Sequence, residues 1–253
     1  SLTGGLQRTD FWIIGARPSV GKSSAAINLA HAVCSKGKSV LLFSLEMSAV
    51  QVGLRFRSMD AGVDLQRLRF GFINSGEEQA LQDSNRRMGS WKLYVDDTPA
   101  LTSDTIRAKA MTVKSNHGLD VLIVDYIGIM GGGSGGDPRA LEVSKIAAGL
   151  KVLAKDLDCT VVGLSQLRRM NESDDREPAL SDLKESGGLE ENADVVILLH
   201  RQHDTASAFC EWGIKKQRNG PTGSITLAWH PATASFKDFV QVSDGGGGEI
   251  VEE

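Results

Sequence analysis

The sequence predicts an α/β protein: a mostly parallel, twisted sheet with helices on both faces, extended at one edge by antiparallel strands. Three observations predict it. Short unbroken apolar runs alternate with amphipathic stretches of helical length through most of the chain. That rhythm belongs to βα units, whose strands are covered on both faces. Toward the C-terminus the strand-like runs crowd together with only Gly and Pro between them, which leaves no room for crossover helices. Finally, a Gly-Lys-Ser triplet separates the first apolar run from the first helix. At 253 residues the chain suits one large domain with a substantial core.

The elements follow in order. "DFWIIG" (10–15) is a buried strand, and "SSAAINLAHAVCSKG" (23–37) a helix stopped by Gly37. "SVLLFSLE" (39–46) is a second strand. Ser48 and Gln51 have capping-box spacing for the next helix, and Ser75 with Glu78 repeats the device before "QALQDSNRRMG". "KLYVDD" (92–97) is strand-like, and "TSDTIRAKAMTVKSNHG" (102–118) is a helix ending in Gly. "DVLIVDY" (120–126) is a buried strand, followed by a long helix over 138–157. "CTVVGLSQ" (159–166) and "DVVILLH" (194–200) are further buried strands. "AFCEWGIKKQR", "GSITLAWH" and "ASFKDFV" are the antiparallel extension, and the Gly-rich tail 241–253 is expected to be flexible. Residues 1–240 therefore read as the folded domain.

Composition narrows the function. A formal charge of -4 excludes coating of nucleic acid by bulk charge, though not a local phosphate channel. Cys34, Cys159 and Cys210 are odd in number and far apart, with no C-x-x-C, so they read as idle thiols rather than a disulfide frame or zinc site. His200 and His203 lack an accompanying ligand pair. No apolar run reaches membrane-spanning length, and no signal-peptide layout opens the chain. Two loops stand apart: the Gly-rich 128–139 and the long charged 167–192. Each reads as solvated surface or as functional loop.

The chemistry begins with "GARPSVGKSS" (15–24). Ala16, Arg17, Pro18, Ser19, Val20 and Gly21 form a strand-to-helix loop, and Lys22, Ser23 and Ser24 open the helix. Backbone N–H groups and the helix N-terminus suit a nucleotide's phosphates, Lys22 reaches the β- and γ-phosphates, and the Ser23 hydroxyl suits Mg²⁺. ATP and Mg²⁺ are the expected ligands. Ala16 stands where such loops usually have their first glycine, and alanine is small enough for the loop to survive.

Three buried runs each end in one polar residue: Glu46, Asp125 and Gln166. In open parallel sheets that edge is where ligands bind. Asp125 fits the carboxylate that holds Mg²⁺ through its water shell, Glu46 the base that polarises the attacking water, and Gln166 a γ-phosphate sensor. Each alone also reads as an ordinary strand-ending polar residue. In "IKKQRNG" (214–220), strand alternation places Lys216 and Arg218 on one face and Lys215 on the other. Two readings stay open: a solvated lysine-bearing sheet edge, or cations supplied to the nucleotide of a neighbouring subunit in a ring or filament.

The ordered series "GARPSVGKSS", "FSLEMS", "VDDTP", "LIVDYI", "GLSQLRR", "SDLKESGGLEENADVV" and "KKQRNGPTG" resembles the C-terminal motor domain of DnaB-type replicative helicases, within the RecA-like P-loop ATPases. The resemblance covers nearly the whole chain. It implies a hexameric ring that uses ATP to move 5′ to 3′ along single-stranded DNA and unwind duplex. It also implies Glu46 as catalytic glutamate, Asp125 as Walker B aspartate, Gln166 as sensor, and Lys216 with Arg218 as the trans-acting pair. DNA contact is implied at Lys184, Glu185 and Gly187, with lysine at 184 where an arginine is frequent. Primase and a helicase loader are implied as partners, and a bacterial cytoplasm, or a phage protein in one, as the location. The family's N-terminal collar domain and linker helix are expected to be absent from this chain. A RecA-type strand-exchange protein and a nucleotide switch that ignores DNA are the alternatives.

Overall fold

The computed structural model describes residues 2–99, 101–130, 139–168, 176–183, 187–201 and 208–239. Nine strands form one sheet in the order β3-β2-β4-β5-β1-β6-β7-β8-β9. They are β1 (Phe11–Ala16), β2 (Ser39–Ser44), β3 (Lys92–Asp96), β4 (Val121–Asp125), β5 (Thr160–Gln166), β6 (Val195–His200), β7 (Phe209–Gln217), β8 (Gly223–His230) and β9 (Ser235–Asp238). The first six in chain order pair in parallel, and β7, β8 and β9 are antiparallel additions beside β6. The α/β class and the antiparallel extension are as the sequence predicts.

Seven α-helices accompany the sheet among the described residues: α1 (Lys22–Cys34), α2 (Ala49–Ala61), α3 (Leu65–Phe70), α4 (Ser75–Met88), α5 (Ser103–His117), α6 (Arg139–Asp156) and α7 (Gly187–Asn192). Side chains alternate along each strand, so every parallel strand feeds two cores. Phe11 and Ile13 of β1, with Leu122 and Val124 of β4, meet α5, α6 and α7 through Ile106, Leu150 and Leu189. Trp12 and Ile14, with Val121 and Ile123, meet α1 and α2 through Ala26, Ile27, Val52 and Phe56. Gly163 of β5 is small because a Cβ there would come within 2.3 Å of Ile127.

Helix boundaries follow capping chemistry. Ser48 accepts the Gln51 N–H while Gln51 Oε1 accepts the Ser48 N–H, the predicted capping box of α2. The box of α4 falls one residue earlier than Ser75 and Glu78: Asn74 caps Glu77 N at 2.9 Å and Glu77 returns the bond at 2.8 Å. Asparagine caps as well as serine does, and this frame satisfies both orphan donors. Helix α1 ends at Cys34 rather than Gly37; the glycine instead closes the following turn at φ +72°. Helix α3 was not expected from the sequence. It has only six residues and buries none of them, so no apolar periodicity announces it. The expected flexible tail and most of the 128–139 loop lie outside the described residues.

Candidate active site

The parallel strands bring the predicted polar residues to one sheet edge. Ala16 is in register with Gln166, and Ser44 with Asp125. Strand β2 stops at Ser44, so Glu46 lies two residues beyond it, its approach fixed by the Leu45 N–H bonding to Asp125 O at 2.7 Å. Between β1 and α1 the chain turns through Ser19 at φ +64° and Gly21 at φ +115°. The second value needs glycine, and a Cβ there would also lie 2.9 Å from the Phe236 ring.

Lys22 is the centre of charge. Its ammonium lies 3.4 Å from Glu46 Oε2, 3.3 Å from Asp125 Oδ1 and 3.6 Å from the centroid of the Tyr126 ring. Asp125 is only 2% exposed, and its Oδ1 accepts no well-formed hydrogen bond despite the nearby ammonium. A buried carboxylate oxygen with spare acceptor capacity suits a hydrated divalent cation, and Ser23, next to Lys22 in the chain, offers a hydroxyl to the same cavity. Among the described residues no group of three or more His, Cys, Asp or Glu could hold a metal without such help.

A cavity of about 490 Å³ opens over this edge. Ala16, Arg17, Pro18, Ser19, Gly21, Lys22, Ser23, Ser24, Glu46 and Gln166 line it, so the phosphate-loop residues and two of the three strand-end residues share one space. Asp125 does not line it but lies 3.3 Å from Lys22, which does. Val20 does not line it and packs against the α1-side core.

Sequence reasoning missed the remaining walls. Arg55 of α2 donates to Ser24 Oγ at 3.2 Å. Burial lowers its pKa, partly offset by the charge of Asp125. Its signal was an arginine beside Phe56 and three residues after Val52, close to the inward-facing stripe of its helix. Leu65 and Gln66 of α3 form another part, tied to the β8–β9 turn by Leu65 N bonding to Ala232 O at 2.8 Å. Trp229, Pro231 and Ala234 supply an apolar wall from the antiparallel extension, with Arg201 5.5 Å above the Trp229 ring and 3.3 Å from Ser19 O. Phe236 locks this wall to α1: its ring centroid lies 4.7 Å from that of Trp229, and its N–H bonds to Asn28 Oδ1 at 3.0 Å. The cavity thus combines cations and loop backbone with an adjoining apolar wall, the two kinds of surface a nucleoside polyphosphate needs.

The stretch beyond Gln166 is tied back to the loop. Leu167 bridges Leu183, Arg168 N bonds to Asp182 O at 2.8 Å, and Arg176 grips both Asp182 oxygens at 2.7 and 2.8 Å. The Arg17 guanidinium reaches Arg176 O at 3.3 Å. The Arg176 bond holds the Asp182 carboxyl below its ordinary range against the opposing effect of burial.

Lys216 and Arg218 are elsewhere. Arg218 N bonds to Asp194 O, just before β6, whereas Ala16 is in register with Leu199 near the end of β6. Five residues of strand separate those levels, roughly 16 Å. The pair reaches α7 together, while Lys215 binds Glu177 at 2.9 Å. A β-bulge leaves Lys215 without a strand partner, since Val196 faces Lys216 and Ile197 faces Ile214. Gly187 opens α7; Lys184 and Glu185 lie outside the described residues.

Comparison with known proteins places this arrangement. Residues 1–238 match the family described as DnaB-like helicase C terminal domain. The replicative DNA helicase DnaB of Geobacillus stearothermophilus is 38% identical over 90% of the chain and 52% of its own length. The replicative DNA helicase DnaC of Bacillus subtilis is 37% identical over 97% of the chain and 56% of its own length. The chain thus spans about half the length of these curated relatives. Among solved structures, a DnaB-like replicative helicase described with its primase interactions superposes with a TM-score of 0.87 at 28% identity, covering 93% of this chain and 59% of that one. A second solved structure, described as an ATPase domain, gives 0.86 at 29% identity, covering 93% and 87%.

Proposed function

The chain belongs to the DnaB-like helicase C-terminal domain family, and from that premise we propose that residues 1–240 are an ATP-driven replicative helicase motor. In this reading six copies form a ring, ATP is hydrolysed between subunits, and each cycle advances single-stranded DNA 5′ to 3′ and opens duplex. The observation that carries it is the separation just described: one chain holds a phosphate loop with Glu46, Asp125 and Gln166 at one sheet edge, and a cationic pair three to five residues lower along β6, roughly 10–16 Å, whose side chains are held on α7 and do not line the cavity. A site completed by the next copy repeats head to tail, the kind of interface from which rings and filaments are built, and the ring is the form this reading adopts.

The residues divide the work. Lys22 and the loop amides bind phosphate, and Glu46 takes the proton of an attacking water. Gln166 reports the γ-phosphate to the strand end it terminates. Ser23 and Asp125 would hold Mg²⁺, which supplies charge neutralisation on the phosphates. Lys216 and Arg218 of the adjacent copy stabilise charge in the transition state, an effect worth roughly 10³–10⁵ in rate for a supplied arginine. Lys184, Glu185 and Gly187 contact the DNA backbone, and six copies in one pore supply avidity that no single acidic subunit has. Primase and a loader are partners, and the setting is a bacterial cytoplasm.

Mixed assemblies test the shared site. Arg218→Ala and Glu46→Ala subunits, each inactive alone, should regain ATP hydrolysis when combined, because some interfaces then pair an intact Glu46 with an intact Arg218. Absence of rescue at every ratio would refute it. Stimulation of hydrolysis by single-stranded DNA, followed by forked-duplex unwinding, separates a helicase from a strand-exchange protein or a nucleotide switch.

A further inference from the structure

Asp194, the residue before β6, is a carboxylate enclosed at the base of the sheet and only 6% exposed. A carboxylate so buried needs donors. Two of them share Oδ2: Phe11 N of β1 at 2.7 Å and Lys151 Nζ of α6 at 2.5 Å. Lys151 is itself held by Thr9 O at 2.9 Å. The main chain is fixed as firmly. Asp194 N bonds to Phe11 O at 2.8 Å, and Asp194 O accepts from Arg218 N at 2.9 Å. With Oδ2 pinned from two elements, Oδ1 is left facing the Arg218 guanidinium, 3.7 Å from Nε.

That arrangement answers an electrostatic problem. Lys216 and Arg218 are two residues apart on one face, a spacing of roughly 6–7 Å, and like charges so placed repel. Burial and the Arg218 charge lower the Lys216 pKa, while the charges of Glu190, Asp194 and Glu191 oppose that shift. Glu190 is half-buried and Glu191 exposed, so Asp194 is the buried anion of the three. Arg218 donates through Nη2 to Glu191 O at 2.8 Å, and its Nη1 has no acceptor among the described residues. Its side chain stays 48% exposed, open to a neighbouring copy.

We propose that Asp194 is a positioning residue for the trans-acting arginine: its buried carboxylate orients the Arg218 guanidinium that one copy lends to the nucleotide of the next. This rests on the motor reading above. The competing role for the same contacts is a tie among β1, α6 and β6 that serves only the chain's own fold and phosphate loop. Asparagine separates the two roles. Phe11 N and Lys151 both require an acceptor at the Oδ2 position, so the asparagine oxygen takes it and the amide NH2 faces Arg218. The tie to β1 survives, and the acceptor beside the guanidinium becomes a donor.

Asp194→Asn should slow ATP hydrolysis by about tenfold to 10², the scale of a group misplaced by about 1 Å, with nucleotide affinity within about twofold. In mixed assemblies it should act as a copy with a damaged arginine and a sound Glu46. Combined with Glu46→Ala it should regain hydrolysis; combined with Arg218→Ala it should not. Rescue by Arg218→Ala, rescue by neither partner, or a normal rate alone overturns the proposal. On unassociated chains, phenylglyoxal modification of Arg218, read by mass spectrometry against Arg69, should quicken by at least about twofold in the variant, the scale of a partly exposed ion pair. An unaltered ratio also overturns it. If Arg218→Ala and Glu46→Ala fail to rescue each other, the shared site falls, and the phenylglyoxal ratio alone decides whether Asp194 orients Arg218. Should Asp194→Asn lose its sheet, Asp194→Asn/Lys151→Met takes its place in every measurement, because it leaves no buried ammonium short of a carboxylate.

Discussion

The ammonium of Lys22 lies 3.3 Å from Oδ1 of Asp125, a carboxylate oxygen almost wholly buried and without a well-formed hydrogen bond. Charge here is balanced by proximity, with acceptor capacity left over. That spare capacity is what a hydrated magnesium ion would use. Asp125→Asn keeps the shape and removes the charge. Phosphate release should fall by about 10² or more, and the magnesium concentration needed for half-maximal rate should rise. A magnesium titration of the variant checks this, and an unchanged magnesium dependence would count against Asp125 as the metal's partner.

Glu46 lies beyond its strand, with its side chain partly exposed to the cavity. The part proposed for it, as base, concerns the chemical step and not binding. Glu46→Gln should therefore lower hydrolysis by about 10²–10⁴ while nucleotide affinity stays within about threefold. Equilibrium nucleotide titration beside steady-state phosphate release separates the two. Loss of affinity in parallel with rate would assign Glu46 to binding.

Gly21 has two constraints at once, φ +115° and the Phe236 ring within 2.9 Å of any added Cβ. Gly21→Ala should cost at least about 1 kcal/mol in urea unfolding. It should also weaken nucleotide binding, because the aromatic wall anchored by Phe236 must shift. Full retention of both would mean that the loop has slack.

The Arg176–Asp182 clamp carries a pH dependence. Its carboxyl is held below the ordinary value, so the clamp's contribution is complete above about pH 4 and is lost as pH falls through the depressed folded-state value. Asp182→Asn should lower the urea midpoint near neutrality and flatten part of its decline toward acid. An acid limb parallel to that of the parent would assign the loss to other carboxylates, such as Asp60, where bonds from Ser84, His31 and Arg87 outweigh the effect of burial.

The three cysteines are buried and free. Burial raises Cys34 to about 11, and Cys159 and Cys210 to about 12. In the native protein at about pH 8 a disulfide reagent should modify none of them on the timescale of minutes, and all three after denaturation. Rapid native reaction of any one would reveal local opening at its element.

The sequence by itself determined the parallel sheet, the Gly-Lys-Ser loop between β1 and α1, and the placing of Asp125 and Gln166 at strand ends, with Glu46 falling two residues past its own strand. Those features are written locally. Unbroken apolar runs report burial on both faces, a Gly-Lys-Ser triplet between a strand and a helix reports a phosphate-binding type of loop, and a polar residue ending an apolar run reports the sheet edge where ligands bind. Reciprocal caps at Ser48 and Gln51 were equally legible because their bonding spans three residues.

Tertiary structure alone decided the rest. Arg55, Trp229 and Pro231 reach the cavity from a neighbouring helix and from the far end of the chain, and no local pattern links them to Lys22. Strand alternation put Lys216 and Arg218 on one face, but not the bulge at Lys215 or the α7 carbonyls that hold the pair. Such contacts join residues far apart in the chain, where only packing sets the geometry. Periodicity reports whether a side chain is covered; it carries no record of which distant backbone group covers it.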